Sequence, residues 1–139
     1  MADDMLTIGF DPASMAEIMR MAEFEVILTE ETALANKEAG DIVVEASQAN
    51  TWTAFQNPTG VLASSISATL LSPWEVGITV GVPYGFRLEY GFHGADSLGR
   101  VYDQAGEPYA QPALDANADK VLQLYEEAVA RTWVRIGGA

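Results

Sequence analysis

Residues 64–82 read Ser64-Ser65-Ile66-Ser67-Ala68-Thr69-Leu70-Leu71-Ser72-Pro73-Trp74-Glu75-Val76-Gly77-Ile78-Thr79-Val80-Gly81-Val82. Apolar and polar side chains alternate along both halves of this stretch, and Ser72-Pro73 separates the halves. A period of two places alternate side chains on opposite faces of a strand, so the stretch predicts a β-hairpin with one buried face. We expect six side chains to be buried on that face, between the sheet and two long helices: Ile66, Ala68, Leu70, Val76, Ile78 and Val80.

The chain before the hairpin predicts a long helix. It begins either with Asp11 as N-cap before Pro12 or with a capping box at Ser14–Glu17. Residues 29–32 and Gly40 weaken the pattern, so one kinked helix and two helices in line both fit. The helix ends before Asn57-Pro58, since a residue that precedes proline avoids helical geometry. Its first apolar stripe comprises Met15, Ile18, Met19, Ala22 and Val26.

Shorter patterns complete the expected fold. Alternation at Leu6, Ile8 and Phe10 predicts a short edge strand. Residues 83–91 fit a helix and a strand alike, although a proline start and a glycine stop favour one or two helical turns. Pro112 opens a last helix that Gly137-Gly138 ends. Its predicted stripe comprises Leu114, Ala118, Val121, Leu122, Tyr125, Val129 and Thr132.

Residues 92–108 are rich in glycine and aspartate, which predicts a long, mobile loop with a short strand near residues 100–102. The expected architecture is therefore a single α+β domain over residues 1–139. A long N-terminal helix and a C-terminal helix pack on a small antiparallel sheet built around the hairpin at about 64–82.

Composition narrows the function classes. The 139-residue chain has no cysteine, so it contains neither a disulfide nor a cysteine-based metal site. It lacks an apolar run of about twenty residues, which argues against a membrane span. Twenty acids against seven bases give a net charge of −13, which opposes binding in a nucleic-acid groove. Residues 1–45 hold 11 acids and 2 bases, a net of −9.

The candidates for chemistry are few. His93 is the only histidine, and a Gly-x-Ser-x-Gly elbow that would accompany a serine triad is missing. A metal site would recruit His93, Asp96, Asp103 and Glu107, but their spacing does not match a calcium loop. We therefore expect no enzyme, no cofactor and no metal. The alternative left open is a small ligand- or metal-binding module that uses the 92–108 loop.

Three stretches, in order, resemble a known family. They are Asn57-Pro58-Thr59-Gly60-Val61-Leu62-Ala63-Ser64-Ser65-Ile66, Tyr84-Gly85-Phe86-Arg87-Leu88-Glu89-Tyr90-Gly91 and Tyr109-Ala110-Gln111-Pro112-Ala113-Leu114. Together they look like the small neck or tail-component family of long-tailed bacteriophages, over about residues 6–132. Phe92 and Ala113 depart from that family's pattern.

The resemblance implies a structural protein of the virion, made in the bacterial cytoplasm and located at the head–tail junction. It would be of the neck, tail-completion or tail-terminator type. Its ring, six- or twelve-fold, would join the head-closure or adaptor protein to the tail tube or tail terminator, and the genome would pass through without specific binding. Part of the acidic face of residues 17–45 is expected to line or border that channel, and a solvated outer face fits the sequence equally well.

Self-association then needs a surface, and a ring repeats one head-to-tail contact around its axis. We expect the contact at the sheet edges, in the 92–108 loop and at the apolar tail, residues 133–136. The predicted interface residues are Tyr84, Arg87, Glu89, Tyr90, Phe92, His93, Arg100, Tyr102, Trp133 and Arg135.

Overall fold

A computed structural model describes residues 5–9, 11–55, 60–95 and 97–137, and of Tyr102 the backbone alone. The fold mixes helices with two antiparallel hairpins, which confirms the predicted α+β class. In chain order the elements are α1 (Pro12–Ala54), α2 (Val61–Ser65), β1 (Ile66–Ser72), β2 (Glu75–Val80), α3 (Gly85–Tyr90), β3 (Gly91–Ala95), β4 (Val101–Ala105), α4 (Gln111–Ala116) and α5 (Ala118–Arg135).

Helix α1 is continuous over its 43 residues. Of the two predicted forms, the structure therefore has one long helix and not two helices in line. Asp11 is the N-cap: its carboxylate accepts the backbone N–H of Ser14 at 2.7 Å, and Pro12 follows at the first helical position. The helix ends at Ala54, before Asn57-Pro58 as predicted, and Phe55 is already extended.

The first hairpin has the predicted faces. Ile66 lies opposite Val80, Ala68 opposite Ile78 and Leu70 opposite Val76, so one apolar face turns towards α1. The contact with the helix is close at Gly40, where an added Cβ would lie 2.8 Å from both Ala68 Cβ and Val76 Cγ2. The glycine that weakens the helical pattern is therefore the position at which the hairpin packs on α1.

Burial on this face is smaller than predicted. Of the six expected core residues only Ile66 is buried, Leu70 is exposed, and the other four are intermediate. The reason is that α1 and the short helix α2 contact the sheet, whereas α5 packs along another side of α1. The expectation of two helices covering one sheet was wrong: α1 is the central element, with the hairpin and α5 on different sides.

Small side chains allow α5 to approach α1 closely. Ala35 of α1 and Ala128 and Thr132 of α5 are almost completely buried. Asn36 links all three parts, because its amide donates to the carbonyl of Pro73 at 2.9 Å and accepts the hydroxyl of Tyr125.

The predicted stripes of both helices need correction. Leu114, Leu122 and Val129 are exposed, and the apolar stripe at the start of α1 is exposed throughout. The last helix is also divided in two: Asn117 is non-helical, and its amide donates to the carbonyl of Ala113 at 2.8 Å.

The segment after the first hairpin is more regular than predicted. Residues 85–90 form α3, in agreement with the favoured helical turns. Residues 91–95 and 101–105 pair as a second hairpin, where a long loop was predicted, with Gly91 opposite Ala105 and His93 opposite Asp103. Alternation at residues 6–8 does not produce a strand in the described residues 5–9, and Phe10 lies outside the described residues.

Candidate assembly surfaces

Glu89 at the end of α3 is hydrogen-bonded to the segment that begins at Tyr109. Glu89 is buried, and its carboxylate accepts three backbone N–H groups, from Tyr109 at 2.7 Å, Ala110 at 3.0 Å and Gln111 at 2.9 Å. These donors belong to the start of α4, where N–H groups lack helical partners. Glu89 therefore caps α4 from the end of α3.

Tyr109 is 1% exposed, and its hydroxyl donates to the carbonyl of Gly85 at 2.9 Å. Burial, with the nearby charge of Glu89, raises the pKa of Tyr109 to about 12. Asn50 of α1 donates to the carbonyl of Tyr109 at 3.0 Å, so the junction is also fixed to the central helix. Glu89, predicted as an interface residue, is thus occupied inside the subunit.

The predicted interface residues of α3 present an aromatic surface. Tyr90 is exposed and stacks on the exposed Phe86, with ring centres 6.3 Å apart. Phe86 was not among the predicted interface residues. Tyr84 is exposed beside them. The guanidinium of Arg87 lies 4.0 Å from the ring centre of Phe92. This cation–π contact joins α3 to β3 of the second hairpin.

The second hairpin carries the other predicted residues. His93 and Asp103 pair across the strands through Nδ1 and a carboxylate oxygen, and both side chains are exposed. Arg100 is exposed at the turn, and the backbone of Tyr102 lies opposite Gly94.

Of the four candidate metal ligands, the structure brings two together, His93 and Asp103. Asp96 lies outside the described residues, and the exposed Glu107 donates its backbone N–H to Leu88 at 2.7 Å. Within the described residues, no group of three or more potential acidic, histidine or cysteine ligands is assembled.

The last predicted residues, Trp133 and Arg135, lie near the end of α5 and contact α1 between Phe24 and Glu31. Trp133 is half exposed and packs on Phe24, with ring centres 4.6 Å apart, so this residue of the apolar tail contacts α1 within the subunit. A shallow cavity of about 350 Å³ lies beside this pair, bordered also by Met21 and Ile136.

An ion-pair cluster joins the end of α5 to the middle of α1. Glu31 is buried and accepts from Arg131 at 2.7 Å and from Arg135 at 3.1 Å, and Arg135 also bonds Glu30 at 2.9 Å. Hydrogen bonding from Arg131, with Arg135 contributing, holds the pKa of Glu31 below its usual value. Two of the acids expected at a channel are therefore engaged within the subunit.

The other acids of residues 17–45 point into solvent. They are Glu17, Glu23, Glu25, Glu38, Asp41 and Glu45.

Sequence reasoning also missed an open groove of about 290 Å³ between β2, α4 and α5, floored by α1 at Gly40 and Val43. Its lining is mainly apolar and includes Tyr90 and Leu114. The groove exists because α5 lies beside the sheet rather than on it. Alternation and helical spacing predict each apolar face but carry no information about the gap between two faces.

Comparisons of the chain with protein-family models, with curated proteins and with solved structures found no match. Among the helices that the structure describes, none combines the length and apolar character that a membrane span requires.

Proposed function

We propose that the chain is a structural subunit of a ring at the head–tail junction of a long-tailed bacteriophage, where it joins the head-closure complex to the tail tube. The three stretches that carry the family resemblance contact one another. Leu62 and Ile66 from the first form the buried cluster with Tyr109 from the third. Glu89 from the second bonds the backbone of the third. This supports the resemblance as a property of one folded unit.

The observation that carries the assembly role is the amount of exposed surface. The chain exposes 9850 Å² at a mass of 14.9 kDa. A compact monomer of this mass is expected to expose about 7,000 Å², so the excess is about 2,800 Å². Much of the exposed surface is apolar, including Trp74, Phe86, Tyr90, Trp133 and Val134. Such surface is typical of a subunit that neighbouring subunits cover.

The charge distribution is compatible with a channel for DNA. Six exposed acids along α1 would repel phosphates, so DNA would pass the surface without binding to it. We propose that part of this exposed acidic surface of α1 borders the channel. In an assembled ring some of these carboxylates should face the axis, and an arrangement with all six on the outer wall would rule out this part of the proposal.

The test is genetic and structural. Deleting the gene in a particle-producing host should leave separate DNA-filled heads and complete tails in electron micrographs. Adding the purified chain to that lysate should restore joined particles and infectivity. Normal particles from the deletion strain would overturn the proposal.

The ligand-binding alternative makes a different prediction. It rests on His93 and Asp103, the one pair of candidate ligands that the second hairpin brings together. A binding module should show a rise in melting temperature with Zn²⁺ or Ca²⁺ that a chelator reverses. His93→Ala should abolish that rise, whereas the ring subunit should retain its melting temperature in either metal.

A further inference from the structure

The face of α1 that packs on the first hairpin continues uncovered towards the start of the helix. At 3.6 residues per turn, Met15, Ile18, Ala22 and Val26 lie within about 40° of Gly40 around the helix axis. Gly40 contacts the hairpin through Ala68 and Val76. All four earlier residues are exposed, Ile18 by 42% and Val26 by 59%. We name these four residues the α1 ridge.

The hairpin stops covering this face at Asn36. Its turn is held there by the hydrogen bond from the Asn36 amide to the carbonyl of Pro73. Ile18 lies 18 residues earlier, a distance of about 27 Å along the helix, so the same chain's hairpin does not reach the ridge. The apolar pattern of α1 is therefore longer than the element that covers it.

The end of the hairpin is apolar and also uncovered. Leu70, Leu71 and Trp74 surround the turn, and all three are exposed. We name these three residues the hairpin tip. Leu70 belongs to the strand face that packs on α1. The tip therefore extends the same apolar face that covers α1 within one chain.

We propose that the α1 ridge of one copy receives the hairpin tip of a second copy. The contact continues the α1–hairpin interface already present inside each subunit. It joins two different surfaces, so each subunit has one ridge and one tip free for two neighbours, and repetition produces a ring or an open chain.

The available area is sufficient for this arrangement. A stable interface removes about 800 Å² from each partner, so two interfaces per subunit remove about 1,600 Å². The excess exposed surface, about 2,800 Å² over a compact monomer, accommodates both. The proposed function supplies only the expectation that the repeated contact closes into a ring. The contact itself rests on the two surfaces.

The absence of cysteine makes a disulfide test direct. In the double variant Ile18→Cys with Trp74→Cys, the two positions within one chain are too far apart for a disulfide, which requires Cα atoms within about 7 Å. Oxidation of the full chain, at about 0.5 M NaCl to screen the repulsion between copies, should give a ladder of dimers, trimers and larger species on a non-reducing gel.

The matched control is Ile18→Cys with Leu122→Cys. Leu122 is 56% exposed and Trp74 is 55% exposed, so the introduced thiols are equally accessible. The ridge–tip variant should give several-fold more cross-linked product than this control. Equal yields would overturn the proposal, and so would equal dimer from Ile18→Cys alone, which indicates ridge-to-ridge pairing.

The outcomes separate this contact from the proposed function. A chain that fails to form the ladder but restores head–tail joining lacks the ridge–tip contact and retains the proposed role. A chain that forms the ladder but does not restore joining has the contact and lacks that role.

Discussion

The two halves of α1 carry similar apolar side chains but have different neighbours. From Asn36 to Thr51 the helix lies against both the first hairpin and the segments around Tyr109, and Val43, Ser47 and Thr51 are buried. From Pro12 to Val26 the contact in the described chain comes from the end of α5, through Phe24 and Trp133. Spacing therefore identifies which side chains are available for burial, whereas the length of the neighbouring elements decides which are buried.

The difference also concerns polar groups. In the covered half, buried polar side chains have partners: Ser47 donates to the carbonyl of Val43 at 2.7 Å, and Thr51 donates to the carbonyl of Gln48 at 2.6 Å. Burial without a partner would cost about 1–3 kcal/mol for each group. Between Pro12 and Val26 the charged side chains are exposed. The first half is thus held mainly by α5, and its remaining apolar surface is available to a neighbour.

The largest expected effect comes from breaking the junction that supports the covered half. Glu89→Ala leaves three N–H groups at the start of α4 without their acceptor, and the free energy of unfolding should fall by about 3–5 kcal/mol. Urea denaturation followed by circular dichroism measures the change. Glu107→Ala removes an exposed carboxylate from the same region and should change stability by less than about 0.5 kcal/mol. Equal losses from both variants would show that Glu89 is not the cap.

Glu89 also shows the limit of sequence reasoning. The sequence Tyr84–Gly91 predicts helical turns, and that prediction is confirmed. A charged residue on a short helix is normally exposed, and Glu89 was predicted to lie at the surface, in an interface between subunits. The buried position depends on Tyr109–Gln111, twenty residues later, whose N–H groups need an acceptor. Such a long-range pairing leaves no trace in local periodicity.

The hairpin was predictable for the opposite reason. Its register follows from alternation over adjacent residues, since a slip of one position would turn every apolar side chain outwards. The apolar stripe at residues 15–26 has equally regular spacing, but within the part of the chain that the structure describes no element covers it. The helix was therefore predicted correctly, although its first apolar stripe is exposed rather than part of the core.

A matched pair of valines sharpens the comparison between the two halves. Val43 is 6% exposed and Val26 is 59% exposed on the same helix. Val43→Ala should lower the free energy of unfolding by about 2–3 kcal/mol, because it removes two buried methyl groups and leaves a cavity. Val26→Ala should change it by less than about 0.5 kcal/mol in dilute protein.

Protein concentration adds a control to this pair. If the α1 ridge is covered by a second copy, the cost of Val26→Ala should increase when the urea titration is repeated at high protein concentration, whereas the cost of Val43→Ala should not change. A loss from Val26→Ala that equals the loss from Val43→Ala in dilute protein would show that the first half of α1 is covered within the monomer.

The smallest expected effect concerns the ion-pair cluster that attaches α5 to α1 at Glu30 and Glu31. Arg131 and Arg135 lower the pKa of Glu31, so the folded chain releases this proton more readily than the unfolded chain. The stabilising contribution is present above the unfolded pKa near 4.5 and is lost as the pH falls through the lower, folded pKa. Acidification also neutralises other carboxylates of this acidic chain, so the measured quantity is the difference between wild type and Glu31→Gln. That difference in urea midpoint should be largest at pH 7 and should disappear below the folded pKa. A constant difference across the titration would indicate that Glu31 stabilises the helix pair through packing rather than through its charge.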